Sequence, residues 1–430
     1  MENRIIEMIE NKNTKNILYL MQRDKRIHDN YSVLYSMELG NALSSEYFIG
    51  TILDEIKLNE RQRTFVIEGL KEIEDECKEY NIYFYLIDKL EEFCAQYNID
   101  CIVTDFSPLK EFDKFYEKLR SLCKKHKYSF YVVDSHNMVP CKLIPTYYKS
   151  SKAVKTRLYQ KYNQYFKDFD TIKFYTNNDS KRCKEIKNNF PKTTVTNGFK
   201  GGYSNGMKEV ESFFENRFEN YDKYRNKPDY DVLSNLSPWI VSGQISAQKV
   251  VWLACHKFSN KNENLDTFLN EIFVWKETAE HFCLYNKDYD NINGALPWAY
   301  STLMVHQEDE RNNIYTLEQL ERATTHDDLW NAGQKEMLIT GKMHGYVRMY
   351  WAKQILKWIQ DPKKAVETAV QLNDKYSIDG NSPNGYLGVM WCICGSMDYG
   401  FAERPIIGKI RPMNAFKAPK YVAKWANKKI

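Results

Sequence analysis

The chain has 430 residues, of which 43% are hydrophobic and 27% charged, an ordinary composition for a globular protein large enough for more than one domain. No apolar run approaches the length of about 18 residues that indicates a membrane span, and the first residues are too charged for a secretory signal. The ten cysteines form no Cys-X-X-Cys pair, which predicts free thiols in a reducing intracellular compartment and argues against a disulfide frame or a metal site. Nothing in the sequence distinguishes nucleus from cytoplasm.

The net charge of +4 is distributed unevenly along the chain. Residues 142–208 contain 15 basic and 4 acidic residues, and residues 403–430 contain 8 basic and 1 acidic. This uneven distribution favours a polyanionic partner. On the evidence of charge alone, a basic surface that contacts only solvent explains it about as well.

Residues 1–140 alternate short apolar runs with amphipathic stretches, a pattern typical of a parallel sheet covered by helices on both faces. The runs predicted as strands are NILYLM, EYFIGTIL, IYFYLI, DCIVTDF and SFYVVD. Helices are predicted between them, including residues 68–80 and 109–125. Because no GxGxxG or GxxxxGK follows a strand, the pattern does not support a dinucleotide or P-loop phosphate site here.

Residues 141–208 show no clear periodicity, and basic and polar residues dominate. Gly198, Gly201 and Gly202 lie in the loop-like sequence TNGFKGGYSNG. These glycines admit a phosphate cradle, but no strand and helix are predicted around them, so we interpret the segment as a flexible basic linker.

From residue 209 to residue 430 the hydrophobic pattern is helical almost throughout. The main predicted helices are residues 210–225, 244–256, 265–285, 317–334, 335–359 and 363–376. The sequence therefore predicts an α/β domain in residues 1–140, a basic interdomain linker in residues 141–208 and an all-α domain in residues 209–430.

The stretch from Leu338 to Trp391 combines several unusual features. One stripe of its first predicted helix is aromatic and apolar yet carries a guanidinium; its residues are His344, Arg348, Trp351, Ile355 and Trp358. Gly341 and Gly345 are predicted one turn apart in that helix, where each costs about 1 kcal/mol relative to Ala. This cost suggests that another group approaches the backbone closely.

The next helix is predicted to begin at Asp361 and Pro362, as N-cap and first helical residue. Asn373 shares an apolar face with Val366 and Ala369, so its amide points inward and needs a hydrogen-bond partner. Taken residue by residue, a core helical hairpin with a satisfied Asn and an Arg paired to Asp379 explains these features as well as a binding site does.

Four motifs follow one another in the order MHGYVRMYWAKQILKW, LNDKYSIDG, PNGYLGVMW and AERPIIGKIRPMN. Their order and spacing resemble those of class II cyclobutane pyrimidine dimer photolyases, in the photolyase/cryptochrome family. The resemblance extends to LSNLSPW, GQISAQ, MQRDKRIHDN and DSHNMVP, so it covers almost the whole chain. It implies a Rossmann-like antenna domain, whose chromophore the sequence does not identify, followed by a helical domain that binds FAD.

The resemblance also assigns residues to the FAD site. Asn373 matches the residue beside flavin N5, and Arg348 and Asp379 match an ion pair over the flavin. The other matching positions are Tyr221, Leu233, Ser234, Asn235, Leu236, Ser237 and Ser377. From the residues alone, the polar side chains of this run precede a helix predicted near Gln244, where they suit phosphate binding but are more simply capping residues.

Glu271, Trp275 and Trp391 are candidates for a lesion pocket. Glu271 and Trp275 are predicted one turn apart on one helical face, and Glu271 matches the family carboxyl that hydrogen-bonds the dimerised base. Burial would favour the protonated form of that carboxyl. Trp391 offers a flat apolar wall, and the alternative for all of these residues is a core helix with one exposed Glu.

Trp351, Trp330 and Trp358 match the tryptophans that carry electrons to the flavin in class II photolyases. Trp351 and Trp358 are separated by about 10 Å along one predicted helix, since each residue adds about 1.5 Å. The alternative is that all three tryptophans are structural core residues, which is the commoner role of Trp.

DNA contacts are expected from Arg225, Lys409 and Arg411, and the last two match the segment that enters the gap left by a flipped lesion. Photolyases are themselves a standard example of base flipping, so this mechanism follows from the resemblance. Tyr399 and Phe401 depart from the family pattern, in which Arg and Trp are common at these positions.

The resemblance thus implies a carbon–carbon lyase that repairs cyclobutane pyrimidine dimers in UV-damaged double-stranded DNA. Light would drive an electron from fully reduced FAD to a flipped-out dimer, without a metal and in a monomer. The alternative is a cryptochrome-like blue-light sensor on the same flavin core. Sensors often carry a long tail after that core, whereas this sequence stops soon after GKIRPMN, which favours repair.

Overall fold

The computed structural model describes residues 1–11, 15–193, 195, 198–258 and 262–429. Its N-terminal part is built on a sheet of order β1-β6-β5-β2-β3-β4, in which β1 is antiparallel to β6 and the other neighbours are parallel. The strands are β1 Ile5–Ile9, β2 Asn16–Leu20, β3 Tyr47–Thr51, β4 Tyr83–Leu86, β5 Ile99–Asp105 and β6 Ser129–Val133.

The five predicted strands and the parallel sheet are confirmed, and β1 is the strand that the sequence did not predict. Its side chains are only partly buried or exposed, so its sequence IIEMI shows neither a buried apolar run nor a clean alternation. It pairs at the sheet edge, with Ile5 opposite Val133.

Helices cover the sheet and form most of the described chain after residue 203. They are α1 Tyr31–Leu43, α2 Glu60–Glu79, α3 Leu90–Gln96, α4 Lys110–His126, α5 Ser151–Tyr165, α6 Ser180–Glu185, α7 Tyr203–Asn216, α8 Tyr221–Tyr224, α9 Ser237–Val241, α10 Ala247–Lys257, α11 Glu263–Leu269, α12 Lys276–Tyr285, α13 Pro297–Val305, α14 Leu317–Glu321, α15 Asp328–Thr340, α16 Gly345–Trp358, α17 Pro362–Tyr376, α18 Pro383–Cys394 and α19 Pro419–Ala426. Short 3₁₀ turns occupy Glu2–Arg4, Cys141–Leu143, Phe218–Asn220, Ile292–Gly294 and His306–Glu308, and a π-helix, Asn270–Trp275, joins α11 to α12.

The predicted helix of residues 335–359 is wrong, because the chain turns between Thr340 and Gly345. Gly341 has φ +77° and ends α15 in the left-handed conformation that favours glycine. An added Cβ there would lie 2.6 Å from Ile378, whose N–H donates to the Gly341 carbonyl at 2.8 Å. Gly341 is therefore explained by a helix end, and only Gly345, the first residue of α16, remains as a candidate for close approach.

The predicted helix of residues 317–334 is likewise divided between α14 and the first half of α15. Helices α13, α18 and α19 were not predicted, although each begins with a proline at its first position, which is a known start signal. In α18 eight of the twelve residues are buried, and its sequence has little polar character besides Asn384, so no polar face marks its helical period.

Residues 141–208, predicted as a flexible linker, contain the helices α5 and α6 and the start of α7. The backbone N–H of Gly201 donates to Glu68 at 2.7 Å, and that of Gly202 donates to Gln244. Since these amides are already bonded within the protein, the two glycines form a packed turn against α2 and not a phosphate cradle. Thr196 and Asn197, the first two residues of the predicted loop TNGFKGGYSNG, lie outside the described residues.

A buried polar network fixes the helical part on the carboxyl edge of the sheet. Arg23, which follows β2, forms an ion pair with Glu280 of α12. The ammonium of Lys276 donates to the His136 carbonyl at 2.6 Å, and Glu277 accepts from the Met138 N–H at 2.5 Å. The motifs RDKR, DSHNM and KETAEH are therefore explained by this interface. In the described chain, the helices are too short or too polar to cross a membrane.

Candidate functional site

A cavity of about 480 Å³ opens between the π-helix, α16, α17, α18 and the segment that leads into α9. Most residues predicted from the sequence for the cofactor and the lesion line it together. They are Tyr221, Arg225, Leu233, Ser234, Asn235, Leu236, Ser237, Glu271, Trp275, Arg348, Trp351, Asn373 and Trp391. Asp379 and Ser377 lie behind this lining, Trp330 and Trp358 lie behind Trp351, and Lys409 and Arg411 lie outside it.

Arg348 and Asp379 form the predicted ion pair, with guanidinium Nη2 3.0 Å from carboxylate Oδ1. Ser237 donates to the other oxygen of Asp379 at 2.7 Å. Burial would raise the pKa of Asp379, but Arg348 and Lys342 outweigh it and hold that pKa below its usual range. The Nε of Arg348 is buried and has no hydrogen-bond partner among the described residues, so this donor is available to a ligand.

Asn373 lies on the buried face of α17, as predicted, and is 3% exposed. Its amide Nδ2 donates to Asp374 at 3.0 Å, and its Oδ1 accepts from Ser377 at 3.4 Å. An added Cβ at Gly385 would lie 2.9 Å from Nδ2, so the small residue of α18 leaves room for this amide at the cavity wall. Ser377, which is fully buried, orients Asn373 and does not itself line the cavity.

The segment Leu233–Ser237 enters the cavity wall through a left-handed residue, Asn235, at φ +58°. The helix that follows it is α9, which begins at Ser237, and not the predicted one near Gln244, since α10 begins only at Ala247. The hydroxyl of Ser237 is engaged with Asp379. Ser234 and Asn235 are therefore the polar residues of this segment that line the cavity and are not bonded to Asp379.

The lining residues that sequence reasoning missed include Lys342, Asn384, Gly388 and Tyr346. Burial lowers the pKa of Lys342, which shares the cavity with Arg348. Asn384, Gly388 and Trp391 recur at helical spacing on α18, a signal that the sequence contained. An added Cβ at Gly388 or at Gly345 would meet no heavy atom within 4 Å, so both glycines present bare backbone to open space.

These features fit FAD. The cavity volume falls within the usual range of about 300–1,000 Å³ for ligand sites. Two cations, an unpartnered guanidinium nitrogen and a buried amide face a space that the glycines leave open. Lys342 and Arg348 suit the phosphates and the electron-rich ring edge of a flavin nucleotide, and Asn373 suits a ring nitrogen.

Glu271, Trp275 and Trp391 lie at one side of the same cavity. The two indoles are stacked, with centroids 4.5 Å apart and planes inclined by 24°. Glu271 pairs with Arg225 at 2.9 Å. Burial raises the pKa of Glu271, and Arg225 opposes that effect. Both Glu271 and Trp275 belong to the π-helix, a wide turn that is frequent at functional sites.

The three tryptophans form a continuous stack that leads away from the cavity. Trp351 lines the cavity and lies parallel to Trp330, with centroids 6.1 Å apart and planes within 8°. Trp330 contacts Trp358 edge to face at 5.4 Å. Trp330 therefore bridges the other two, in the order predicted, and all three are at most 5% exposed.

Residues 401–411, here called the basic hairpin, carry Lys409 and Arg411 next to the cavity. Arg404 and Gly408 exchange backbone hydrogen bonds at 3.0 and 2.9 Å. Arg411 pairs with Asp398 at 3.0 Å; burial raises the pKa of Asp398, and the neighbouring Trp391 indole and Arg411 lower it. The hairpin thus adjoins the Trp391 wall, and Lys409 projects from it as an exposed cation.

Comparisons with known proteins place this arrangement among DNA-repair flavoproteins. Residues 17–175 match a family model described as DNA photolyase. The chain is 36% identical over 413 residues to the deoxyribodipyrimidine photo-lyase of Potorous tridactylus, which covers 92% of this chain and 77% of that protein. It is 33% identical over 413 residues to the protein of the same name from Methanothermobacter thermautotrophicus, with 93% of this chain and 90% of that one covered.

Solved structures show the fold. A class III photolyase from Agrobacterium tumefaciens superposes with a TM-score of 0.74 at 15% identity, and a Synechocystis cryptochrome with 0.70 at 12%. Each comparison covers 97% of this chain and 87% of the other.

Proposed function

This chain belongs to the DNA photolyase family, and from that premise we propose that it is a class II enzyme that repairs cyclobutane pyrimidine dimers. It is a light-driven DNA repair lyase and its cofactor is FAD; the proposal adds an antenna chromophore, whose identity the sequence does not give. The observation that carries the assignment is one cavity in which the residues suited to FAD adjoin Glu271 and the Trp275–Trp391 wall. A cryptochrome-like sensor needs no such lesion wall beside a basic hairpin.

When bound, reduced FAD supplies the electron that light transfers to the dimer. The chain's own residues hold the reactants. Arg348, fixed by Asp379, and the amide of Asn373 orient the cofactor edge. The stacked indoles of Trp275 and Trp391 offer an apolar surface to an extruded base and exclude water from the reacting bonds.

The proposal covers organisation as well. Residues 1–140, 141–208 and 209–430 are taken as antenna domain, basic linker and catalytic domain. The proposal also takes the protein to act as a monomer. The ten free thiols favour a reducing intracellular compartment.

The decisive experiment uses the purified, reduced protein and an oligonucleotide with a single thymine dimer. We expect restoration of the thymines under near-UV or blue light and none in the dark. An oligonucleotide with a (6-4) photoproduct serves as the control substrate. Repair of the control alone would contradict the proposed substrate, and a protein that cannot be loaded with FAD would contradict the assignment of the cavity.

Glu271→Ala should lower the repair yield per absorbed photon more than it lowers lesion affinity. A carboxyl that hydrogen-bonds the dimer acts on rate when its bond strengthens as charge develops on the base. One hydrogen bond of about 1 kcal/mol corresponds to a fall of about fivefold in the rate of the step that it assists, and the yield falls by at most that factor. Glu271→Gln keeps a donor in place and should lie between Ala and the native enzyme. An unchanged yield with weakened binding would leave Glu271 a binding residue only.

Charge reversal at Lys409 should weaken DNA binding and reduce its dependence on salt. Each phosphate contact that is lost lowers the slope of log K against log salt by about 0.9. Arg411→Glu should in addition reduce the preference for damaged over intact duplex, because Arg411 adjoins the Trp391 wall through Asp398. Binding titrations on both duplexes at several salt concentrations measure this. If Arg411→Glu loses affinity equally for the damaged and the intact duplex, Arg411 is a phosphate contact only.

A further inference from the structure

A histidine at the end of α13 contacts a carboxylate on its own segment through one ring nitrogen and a carboxylate of the basic hairpin through the other. His306 Nδ1 lies 2.6 Å from Asp309 Oδ2, and Nε2 lies 3.1 Å from Glu403 Oε1. A neutral imidazole has only one N–H, so both contacts are hydrogen bonds to carboxylates only in the imidazolium form. The geometry is therefore that of a cation clamped between two anions, one on its own segment and one on the hairpin.

Two further hydrogen bonds join the basic hairpin to α13 and to the residues that follow it. The N–H of Ile406 donates to Asp309 Oδ2 at 2.6 Å, and the N–H of Lys409 donates to Thr302 Oγ1 at 3.1 Å. Gly408, at φ +54°, lies so close to Thr302 that an added Cβ would overlap its hydroxyl. Asp309 Oδ2 thus accepts from His306 and from the hairpin backbone at once.

The charged groups of this cluster are Asp309, Glu403 and Arg311 in the described part of the chain. Hydrogen bonds to Asp309 and then to Glu403 raise the pKa of His306. Arg311 donates to the Asp309 carbonyl at 2.8 Å and helps to keep the carboxylate of Asp309 ionised. Loss of the His306 proton would leave two carboxylates facing a neutral ring.

We propose that His306 is a positioning residue for DNA: its protonated ring fixes the basic hairpin, so affinity for damaged duplex falls as pH rises and the ring loses its proton. The inference rests on the proposed function, because it takes the hairpin as the element that meets DNA. When folding raises the pKa of a histidine, its protonated ring contributes its full stabilisation to the folded state below about pH 6.5. That contribution is lost as the pH rises through the pKa of the folded state.

The test is the dissociation constant for a dimer-containing duplex, measured in the dark at constant ionic strength between about pH 6 and pH 9. We expect native affinity to fall about threefold to tenfold across this range, as for two partly exposed ion pairs. His306→Asn should bind at the weaker level throughout, without the step. Glu403→Gln should show a smaller step. Glu308→Gln, which removes a carboxylate from an exposed neighbour of the cluster, should keep the native step and controls for charge alone.

A second measurement separates the clamp from the role of the hairpin in DNA binding. Hydrogen exchange of the Ile406 and Lys409 amides in the free protein, relative to the intrinsic rate at each pH, should lose protection as His306 deprotonates. Constant protection, or a native step in His306→Asn, would overturn the clamp. Lost protection with unchanged DNA affinity would overturn the role of the hairpin and, with it, the inference.

Discussion

Trp351→Phe should abolish the photoreduction of oxidised FAD while sparing repair by the chemically reduced enzyme. The two light reactions use different routes, since photoreduction draws electrons from the protein and repair sends one to the lesion. Trp351 is the residue of the stack that faces the cavity, and Trp330 joins it to Trp358. Phenylalanine is much harder to oxidise than tryptophan, so the first step of the path should stop.

The substitution should be tolerated by the fold. Phenylalanine fills most of the ring volume, and Trp330 Nε1 bonds to the backbone carbonyl of residue 351, which the variant keeps. The bond from Trp351 Nε1 to Gln334 at 2.9 Å is lost, at a cost of about 1–3 kcal/mol for the amide left behind. Thermal denaturation with FAD fluorescence will show whether the cofactor is retained.

Trp330→Phe should block photoreduction in the same way, and Trp252→Phe, outside both the stack and the cavity, is the matched control. The readout is the rate of flavin bleaching under blue light with an external reductant. If FAD is photoreduced at the native rate in both Trp351→Phe and Trp330→Phe, the proposed electron path is contradicted. Loss of repair in reduced, folded Trp351→Phe would assign Trp351 to the pocket.

Asp379→Asn should weaken FAD binding about 30- to 150-fold, because Arg348 then faces the cofactor without its fixed partner. Breaking a buried pair costs about 3–5 kcal/mol, and a value of about 2–3 kcal/mol is expected here since the Arg348 side chain is 24% exposed. Asparagine can still accept the Ser237 hydroxyl, so the segment before α9 should stay in place.

The same variant has a pH signature. The pKa of Asp379 lies below its usual range, so its contribution to stability is complete above about pH 4 and is lost as pH falls through the depressed value. Asp379→Asn should remove that acid-side loss. Asp290→Asn, which breaks the partly buried pair with Lys110 outside the cavity, is the control for charge removal and should leave FAD affinity unchanged. Equal FAD affinity in native protein and Asp379→Asn would contradict the role of the pair.

Local patterns predicted the parts of the site that depend on one helix. The apolar face of α17 placed Asn373 inward, and the stripe of α16 placed Arg348 and Trp351 together. Prediction failed where a boundary depends on a tertiary partner. Gly341 ends α15 because Ile378 packs against it, and no local period records that contact.

Distances between elements could not be predicted either. Trp330 and Trp351 are parallel because α15 and α16 pack side by side, with Gly333 of α15 so close to Val347 that an added Cβ would lie 2.7 Å from it. The pairing of Glu271 with Arg225 joins a π-helix to α8 across the cavity mouth. Lys342 was missed because its turn was interpreted as helix.

Relative to a regular α-helix, the π-helix Asn270–Trp275 contains one additional residue. Wide turns have poorer backbone hydrogen bonds, so the extra residue costs stability and persists because it rotates the lesion residues into the cavity. Deleting Asn270 should return α11 and α12 to one regular helix, and turn the residues on one side of the deletion by about 100° relative to the cavity. The same rotation displaces buried residues, such as Phe268 of α11 or Phe282 of α12, from the core. We therefore expect a protein that melts at a lower temperature than the native protein and no longer distinguishes damaged from intact DNA. A variant that keeps both the native melting temperature and the native preference for damaged DNA would show that the wide turn does not position the lesion residues.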